Sequence, residues 1–190
     1  MSLVPEFEIG LWNAWILIIP LIILWIVGVK FLFSKRMPDY SSPSKTKEKI
    51  LSNLLIIVMF GSFIYSVFMP LKLGTIWVSI GLIVYLIGLI LIVITMINFA
   101  RTPLDKPVTT GVYRYSRNPM FIGWFLIYFG IAIACLSWIY VLITLLFIIV
   151  VNYSSPLEEE ITLKHYGKTY KEYIEKTPKW IGIPKSRKRK

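Results

Sequence analysis

Two kinds of reactive side chain are almost missing from this chain of 190 residues, which contains one cysteine, Cys135, and one histidine, His165. A single cysteine excludes a disulfide framework within the chain, and a single histidine excludes a metal site built from several imidazoles. The sequence also has no GxGxxG segment after a strand, no Walker loop, no GxSxG elbow, no HExxH and no CxxC pair. We therefore expect neither a bound metal nor a soluble nucleotide fold.

Acidic residues are scarce, with 10 Asp and Glu against 21 Lys and Arg and a net charge of +11. The mean hydropathy is +0.69 and 56% of the residues are hydrophobic, which is typical of an integral membrane protein. The basic residues lie between apolar runs and in the tail, not on one face of a nucleic-acid-binding fold. The predicted partners are therefore membrane lipids with anionic head groups, and not nucleic acid.

Long runs with almost no charge predict the first three membrane spans. Span one runs from Leu11 to about Phe33, span two from Ile50 to Leu71, and span three from about Ile76 to Ala100. Each run is long enough to cross roughly 30 Å of hydrocarbon at about 1.5 Å per residue. Residues 34–49 and 101–117 read as polar connections between spans.

The apolar stretch Pro119–Asn152 is too long for one ordinary span, and charge decides how it folds. A hairpin that turns near Leu136-Ser137 places 20 of the 21 Lys and Arg residues on one side of the membrane, all but Lys72. A single span would move the ten basic residues of the tail across, against the positive-inside rule. We therefore predict an all-α integral membrane fold with five transmembrane helices, the last two a short hairpin, with the amino terminus outside and the carboxyl terminus in the cytoplasm.

The chain is predicted to form one membrane domain over 1–190, with a three-helix part in 1–100 and the polar segments in 101–190. The tail starts with Ser155-Pro156-Leu157-Glu158, which has the residues of a helix N-cap, a first-turn proline and a capping box. This pattern predicts a cytoplasmic helix from Ser155 to about Lys176, loosened at Gly167.

One face of that tail helix carries the polar groups best suited to a pocket. Residues spaced alternately four and three apart form a stripe that consists of Glu159, Leu163, Tyr166, Tyr170 and Tyr173. Glu160 instead faces Lys164 on the solvated side, and Glu158 serves as a cap. The alternative is that all three glutamates only complement the helix dipole.

Arg117 stands directly before Asn118-Pro119, where the proline suits the first position of span four. Exposed N–H groups at a helix amino terminus beside an arginine make a site for an anion such as a carboxylate. The alternative is that Arg114 and Arg117 only anchor the helix at the lipid head groups, with the nearby aromatic residues forming an interfacial belt.

Three segments resemble a known family. They are PVTTGVY at 107–113, RNPMFIGW at 117–124, and EEITL at 159–163 followed by Tyr166-Gly167, Tyr170 and Tyr173. Together they resemble the isoprenylcysteine carboxyl methyltransferases and their prokaryotic homologues, which are related to the membrane phospholipid methyltransferases. The resemblance covers roughly residues 95–185.

The resemblance implies that residues 101–190 are the catalytic part, binding S-adenosylmethionine in a pocket that opens to the cytoplasm. A lipophilic substrate would enter sideways from the bilayer. The catalytic residues that it implies are Arg117 and Glu159. The implied cofactor-binding residues are Lys106, Pro107, Val108, Tyr113, Asn118, Pro119, Met120, Phe121, Glu159, Tyr166 and Tyr170.

The expected reaction is in-line methyl transfer to a carboxylate of a prenylcysteine-like molecule, which is ionised at neutral pH and requires no general base. An amine of phosphatidylethanolamine type is the alternative acceptor, and Glu159 would be the nearest group to help deprotonate it. Many relatives have histidine where this chain has Asn118, and eukaryotic members have an arginine where it reads Ser154-Ser155-Pro156. A sterol-reductase-like protein that uses NADPH and a non-catalytic membrane adaptor are the remaining interpretations; the oligomeric state is not predicted.

Overall fold

The structure, a computed structural model, describes residues 7–28 and 46–184, and within these ranges the chain forms six α-helices and no β-strand. The helices are α1 (Trp15–Val27), α2 (Thr46–Val67), α3 (Ile76–Arg101), α4 (Pro119–Cys135), α5 (Trp138–Tyr166) and α6 (Lys168–Lys176). A short 3-10 helix, Gly111–Arg114, lies between α3 and α4. The predicted all-α class is confirmed for this part of the chain.

Three helices are long and apolar enough to cross a membrane: Lys49–Val67 of α2, all of α3 and all of α5. The apolar helices α1 and α4 are shorter, with 13 and 17 residues, which is about 20 and about 26 Å of helix. A multi-pass membrane protein is therefore supported, while the count of five spans stays a prediction. α2 ends at Val67, earlier than the predicted Leu71. The predicted end of span one at Phe33 and the loop 34–49, up to residue 45, lie outside the described residues.

The connection between α4 and α5 is the tight turn that charge counting predicts at Leu136-Ser137. Leu136 follows the last residue of α4 in the left-handed conformation, with φ 50° and ψ 39°. The Ser137 hydroxyl oxygen accepts a hydrogen bond from the Tyr140 backbone N–H at 3.2 Å and so caps the start of α5. The two helices form the predicted hairpin.

Glycines allow α3 and α4 to pack at very short range. A β-carbon on Gly81 would lie 2.6 Å from the Gly130 carbonyl oxygen, and one on Gly88 would lie 2.7 Å from the Gly123 carbonyl oxygen. Any larger residue would force the helices apart, because the nearest atoms are backbone atoms that cannot turn away. On each helix the two glycines are seven residues apart, or two turns, so they lie on one face.

The apolar core includes residues of α1 to α5, and its largest fully buried rings lie on α4 and α5. Tyr128, Tyr140 and Phe147 are at most 2% exposed, and the rings of Tyr128 and Phe147 meet edge to face at 5.2 Å. The outer helix faces instead expose large apolar side chains such as Ile83, at 60%, and Ile90, at 57%. Such surfaces suit contact with lipid rather than with water.

The connections gather at two opposite ends of the bundle. At the first end, the Ala14 N–H donates to the Met69 carbonyl at 2.8 Å and the Lys72 N–H donates to the Ala134 carbonyl at 3.1 Å. The amino-terminal segment, the α2–α3 turn and the α4–α5 turn are therefore neighbours. The polar segment 101–118 and the tail after α5 lie at the other end, since α3, α4 and α5 each run the length of the bundle.

The predicted helix start at Ser155 is wrong. α5 continues through this point and carries Pro156 inside it, so Glu158 lies within a helix and is not a cap. Packing overrides the local start signals, because Ser154 and Ser155 are 6% and 0% exposed and belong to the buried face of α5 that begins at Tyr140. The break comes at Gly167, whose φ of 56° ends α5 and begins α6, as the sequence predicted.

Candidate functional site

The two polar segments that the sequence singles out meet at one end of the bundle. The Tyr166 hydroxyl donates to the Leu104 carbonyl at 3.2 Å. The Tyr173 hydroxyl donates to the Tyr113 carbonyl at 2.6 Å. The tail therefore docks on the connection between α3 and α4 through its tyrosines.

Arg117 and Glu159 form an ion pair across this junction. The Arg117 Nε atom lies 3.1 Å from the Glu159 Oε1 atom, and the two side chains are 11% and 17% exposed. Arg117 Nη1 also donates to the Ile174 carbonyl at 3.0 Å, which fixes the guanidinium against the tail. The structure thus brings together the two residues predicted to be catalytic.

The contact between Arg117 and Glu159 is electrostatic and not a hydrogen bond. Both Arg117 Nε and Glu159 Oε1 are buried, and neither atom has a hydrogen-bond partner of acceptable geometry within the described part of the chain. Buried polar atoms are nearly always hydrogen-bonded in proteins. The positively charged donor Arg117 Nε and the negatively charged acceptor Glu159 Oε1 therefore lie side by side, and each can still form a hydrogen bond.

Two tyrosines of the predicted stripe, Tyr170 and Tyr173, face inward, although Gly167 interrupts the helix. Tyr170 and Tyr173 are buried, with ring centroids 5.6 Å apart. Burial, and secondarily the Glu159 carboxylate, raise the pKa of Tyr170 to about 12, while the Arg117 guanidinium acts in the opposite direction. Burial also raises the pKa of Tyr173, with a further contribution from Tyr170. Both phenols are therefore neutral hydrogen-bond donors at physiological pH.

Glu160 lies on the other side of α5, as the helical period predicts. Its carboxylate pairs with Lys164 at 2.9 Å, and the two side chains are 42% and 69% exposed. A pair this exposed contributes little to stability. Glu160 therefore offers a control for Glu159.

A cavity of about 500 Å³ opens beside the 101–118 connection. It is lined by Asn98, Arg101, Thr102, Pro103, Lys106, Pro107, Thr109, Thr110 and Thr169. Of the predicted cofactor-binding residues, Lys106 and Pro107 are among them. Sequence reasoning missed Asn98 and the threonines. The one available signal was a polar amide near the end of an otherwise apolar helix.

Asn98 presents an unused donor at the wall of this cavity. Its Nδ2 atom is buried and has no hydrogen-bond partner among the described residues. Gly111, with a φ of 63°, packs directly on this amide, and any side chain there would collide with it. The backbone is thus shaped to leave room for the Asn98 side chain.

The other predicted cofactor-binding residues do not line the cavity. Asn118 donates its Nδ2 hydrogen to the Lys179 carbonyl at 3.1 Å, and Pro119 is the first residue of α4 as predicted. Met120 and Phe121 pack against the apolar core. The cofactor roles that the resemblance implies stay predictions for these residues and for Val108, Tyr113, Glu159, Tyr166 and Tyr170.

This architecture defines a multi-pass helical membrane protein with a cavity lined largely by polar residues at one end of the bundle. The profile of the phospholipid methyltransferase family matches residues 71–169. The matched region includes α3, α4, α5, the Arg117–Glu159 pair and the whole cavity lining. The chain belongs to this family and is a membrane-embedded methyltransferase, which confirms the recognition from sequence at the family level. No curated protein sequence matches the chain.

Proposed function

We propose that the protein binds S-adenosylmethionine and transfers its methyl group to the carboxylate of a lipophilic, prenylcysteine-like acceptor. The observation that supports this most directly is the buried Arg117–Glu159 pair, whose facing atoms keep unused hydrogen-bonding capacity. When bound, S-adenosylmethionine supplies an electrophilic methyl group on a sulfonium sulfur.

The residues present fit this cofactor. Its amino-acid end carries an ammonium and a carboxylate, which match the Glu159 acceptor and the Arg117 donor. A cavity of about 500 Å³ is within the roughly 300–1,000 Å³ of small-molecule sites. Its lining offers the Asn98 amide and threonine hydroxyls for polar groups of the nucleoside.

The charge of the cavity favours an anionic acceptor. Arg101 and Lys106 line it, and its lining residues include no carboxylate and no imidazole. Glu159 is held by Arg117 and is poorly suited to remove a proton. A carboxylate acceptor is already ionised and needs no base, so the residues only have to bind, align and exclude water.

A phosphatidylethanolamine-type amine is the second candidate acceptor. The family match supports it equally well, since the family is that of the phospholipid methyltransferases. An amine must lose a proton before it reacts, and the lining of the cavity offers no carboxylate or imidazole for that step.

The positive-inside rule supports an orientation in which this end of the bundle faces the cytoplasm. Lys72 lies at the opposite end, whereas Arg101, Lys106, Arg114 and Arg117 lie at the end with the site. The amino terminus would then be outside and the carboxyl terminus cytoplasmic, with the lipophilic substrate entering from the bilayer.

Two measurements test the proposal. The first is calorimetric titration of the purified, detergent-solubilised protein with S-adenosylhomocysteine, and absence of binding by folded protein would overturn it. The second offers labelled S-adenosylmethionine together with either a prenylcysteine analogue or extracted phospholipids. Label that is released by mild base as methanol indicates an ester and therefore a carboxylate acceptor, while base-stable label in phospholipid indicates N-methylation.

A further inference from the structure

Lys179 connects the segment that carries Arg117 to α5, the helix that carries Glu159. It contacts the first through its backbone carbonyl and the second through its side-chain ammonium. Its backbone carbonyl accepts hydrogen bonds from Asn118 Nδ2 at 3.1 Å and from the Ser116 hydroxyl at 3.4 Å. Its ammonium donates to the backbone carbonyl and to the Oδ1 atom of Asn152, each at 3.3 Å. One residue of the tail thus touches the Arg117 segment and the middle of α5.

The Asn152 carbonyl is available because of Pro156. In an α-helix each carbonyl accepts from the N–H four residues later, and proline has no N–H. The residue four positions after Asn152 is Pro156, which lies inside α5. The Lys179 ammonium therefore replaces the donor that this proline removes. Glu159 follows in the next turn of the same helix.

Residues on either side of Lys179 in the sequence form backbone hydrogen bonds with Arg117 and with nearby Tyr115. The Arg117 backbone N–H donates to the Pro178 carbonyl at 3.1 Å, and the Gly182 N–H donates to the Tyr115 carbonyl at 3.1 Å. We call residues 177–182 the tail strap. Trp180 in this strap packs against the apolar core. The Lys179 Nζ atom lies over the Trp180 ring, 5.2 Å from the ring centroid.

We propose that Lys179 is a positioning residue for the Arg117–Glu159 pair. It ties the proline-containing turn of α5, which leads to Glu159, to the strap that holds Arg117. The distance between the two charged groups then depends on a lysine that touches neither of them. This inference rests on the proposed function insofar as the pair binds the amino-acid end of the cofactor.

The test combines Lys179→Met with Pro156→Ala. Lys179→Met is expected to weaken S-adenosylhomocysteine binding about three- to tenfold, which is modest because the contact is partly exposed. Lys179→Arg should keep the affinity within about twofold, since it retains a charged donor. Lys171→Met, on the exposed side of α6, is the matched control and should change nothing.

Pro156→Ala restores the missing N–H to the helix, so the Asn152 carbonyl no longer needs Lys179. In that background Lys179→Met should therefore cost less than about twofold, a coupling that a double-mutant cycle reports. An equal loss in both backgrounds, or wild-type affinity in Lys179→Met, would overturn the proposal.

Hydrogen exchange without ligand provides a readout that does not depend on the cofactor. Lys179→Met should accelerate exchange of the Arg117, Asn118 and Gly182 amides, with little further effect in the Pro156→Ala background. Unchanged exchange of these amides in Lys179→Met would overturn the proposed positioning role of Lys179. Faster exchange in Lys179→Met, together with a wild type that binds no S-adenosylhomocysteine, would support the positioning role of Lys179 and overturn the proposed binding of S-adenosylmethionine.

Discussion

The guanidinium of Arg117 and the carboxylate of Glu159 lie 3.1 Å apart, although α4 and most of α5 separate them in the sequence. Both side chains are largely buried, so each charge depends on the other. Removing one partner of a buried pair leaves the other charge uncompensated, which is far more destabilising than losing an exposed pair.

Glu159→Gln is therefore expected to reduce S-adenosylhomocysteine affinity at least about tenfold and to lower the thermal midpoint. The substitution keeps the size of the side chain and removes only the charge that would bind the cofactor ammonium and compensate Arg117. Calorimetric titration and thermal unfolding in the same detergent measure the two effects.

Glu160→Gln is the matched control, since this neighbouring carboxylate pairs with Lys164 at the exposed surface. It should leave affinity and thermal midpoint within error of the wild type. Equal effects of the two substitutions would show that the net charge of the tail matters and that the buried pair does not.

The positions of these two residues could be predicted because each follows from a local rule, whereas the ion pair between them follows only from the fold. The helical period alone separates Glu159 from Glu160, and the proline after Asn118 fixes where α4 begins and hence where Arg117 lies. The turn at Leu136-Ser137 follows from the distribution of basic residues. These rules need no knowledge of distant contacts.

Other features depend on contacts that no local rule contains. The start signals at Ser155 are sound in isolation, but Ser154 and Ser155 are themselves buried in the packed face of α5, and the helix continues through them. The sequence shows Asn98 only as an amide near the end of a mostly apolar helix, and its place beside Gly111 at the cavity depends on the fold. The contribution of Lys179 likewise requires the fold that brings the tail back to α5.

Close packing of α3 on α4 leads to a second prediction. Gly130→Ala should lower the thermal midpoint by several degrees, because its β-carbon would lie 2.6 Å from the Tyr85 backbone nitrogen, and such overpacking costs about 1–3 kcal/mol. Gly61→Ala is the control, since nothing lies within 4 Å of its added β-carbon. A neutral Gly130→Ala would mean that the two helices are farther apart in the membrane.

A third prediction concerns alkaline pH. Burial raises the pKa of Tyr170 to about 12 from its ordinary value of 10.0. The folded protein thus holds this proton more tightly than the unfolded chain. The resulting stabilisation is complete below pH 10 and is lost as the pH rises from 10 towards 12.

Tyr170→Phe removes that titration, so its thermal midpoint should fall less steeply than that of the wild type above pH 10, by roughly 2–4 °C per kcal/mol of linkage removed. Circular dichroism melts across this range provide the measurement. Tyr153→Phe serves for comparison because Tyr153 is 65% exposed. If the thermal midpoints of the wild type and Tyr170→Phe fall equally steeply with pH, Tyr170 does not have a raised pKa in the folded protein.

A fourth prediction tests whether the Asn98 side chain binds the cofactor or only stabilises the fold. Substitution of Asn98 should change the thermal midpoint and the ligand affinity in different ways in these two cases. Its buried Nδ2 atom lacks a partner in the unliganded protein, so Asn98→Leu removes a desolvated donor and forfeits no hydrogen bond from that atom. The thermal midpoint without ligand should then stay constant or rise. S-adenosylhomocysteine affinity should fall about three- to tenfold, the value of one hydrogen bond gained on binding.

Asn53→Leu, on the exposed face of α2, is the control for a change from amide to aliphatic side chain and should leave the affinity unchanged. If Asn98→Leu lowers the thermal midpoint and leaves the affinity intact, the amide has a structural role and the cavity wall does not recognise the cofactor. A constant or higher thermal midpoint together with a weaker affinity is expected only when the ligand itself supplies the hydrogen-bond acceptor for Asn98 Nδ2.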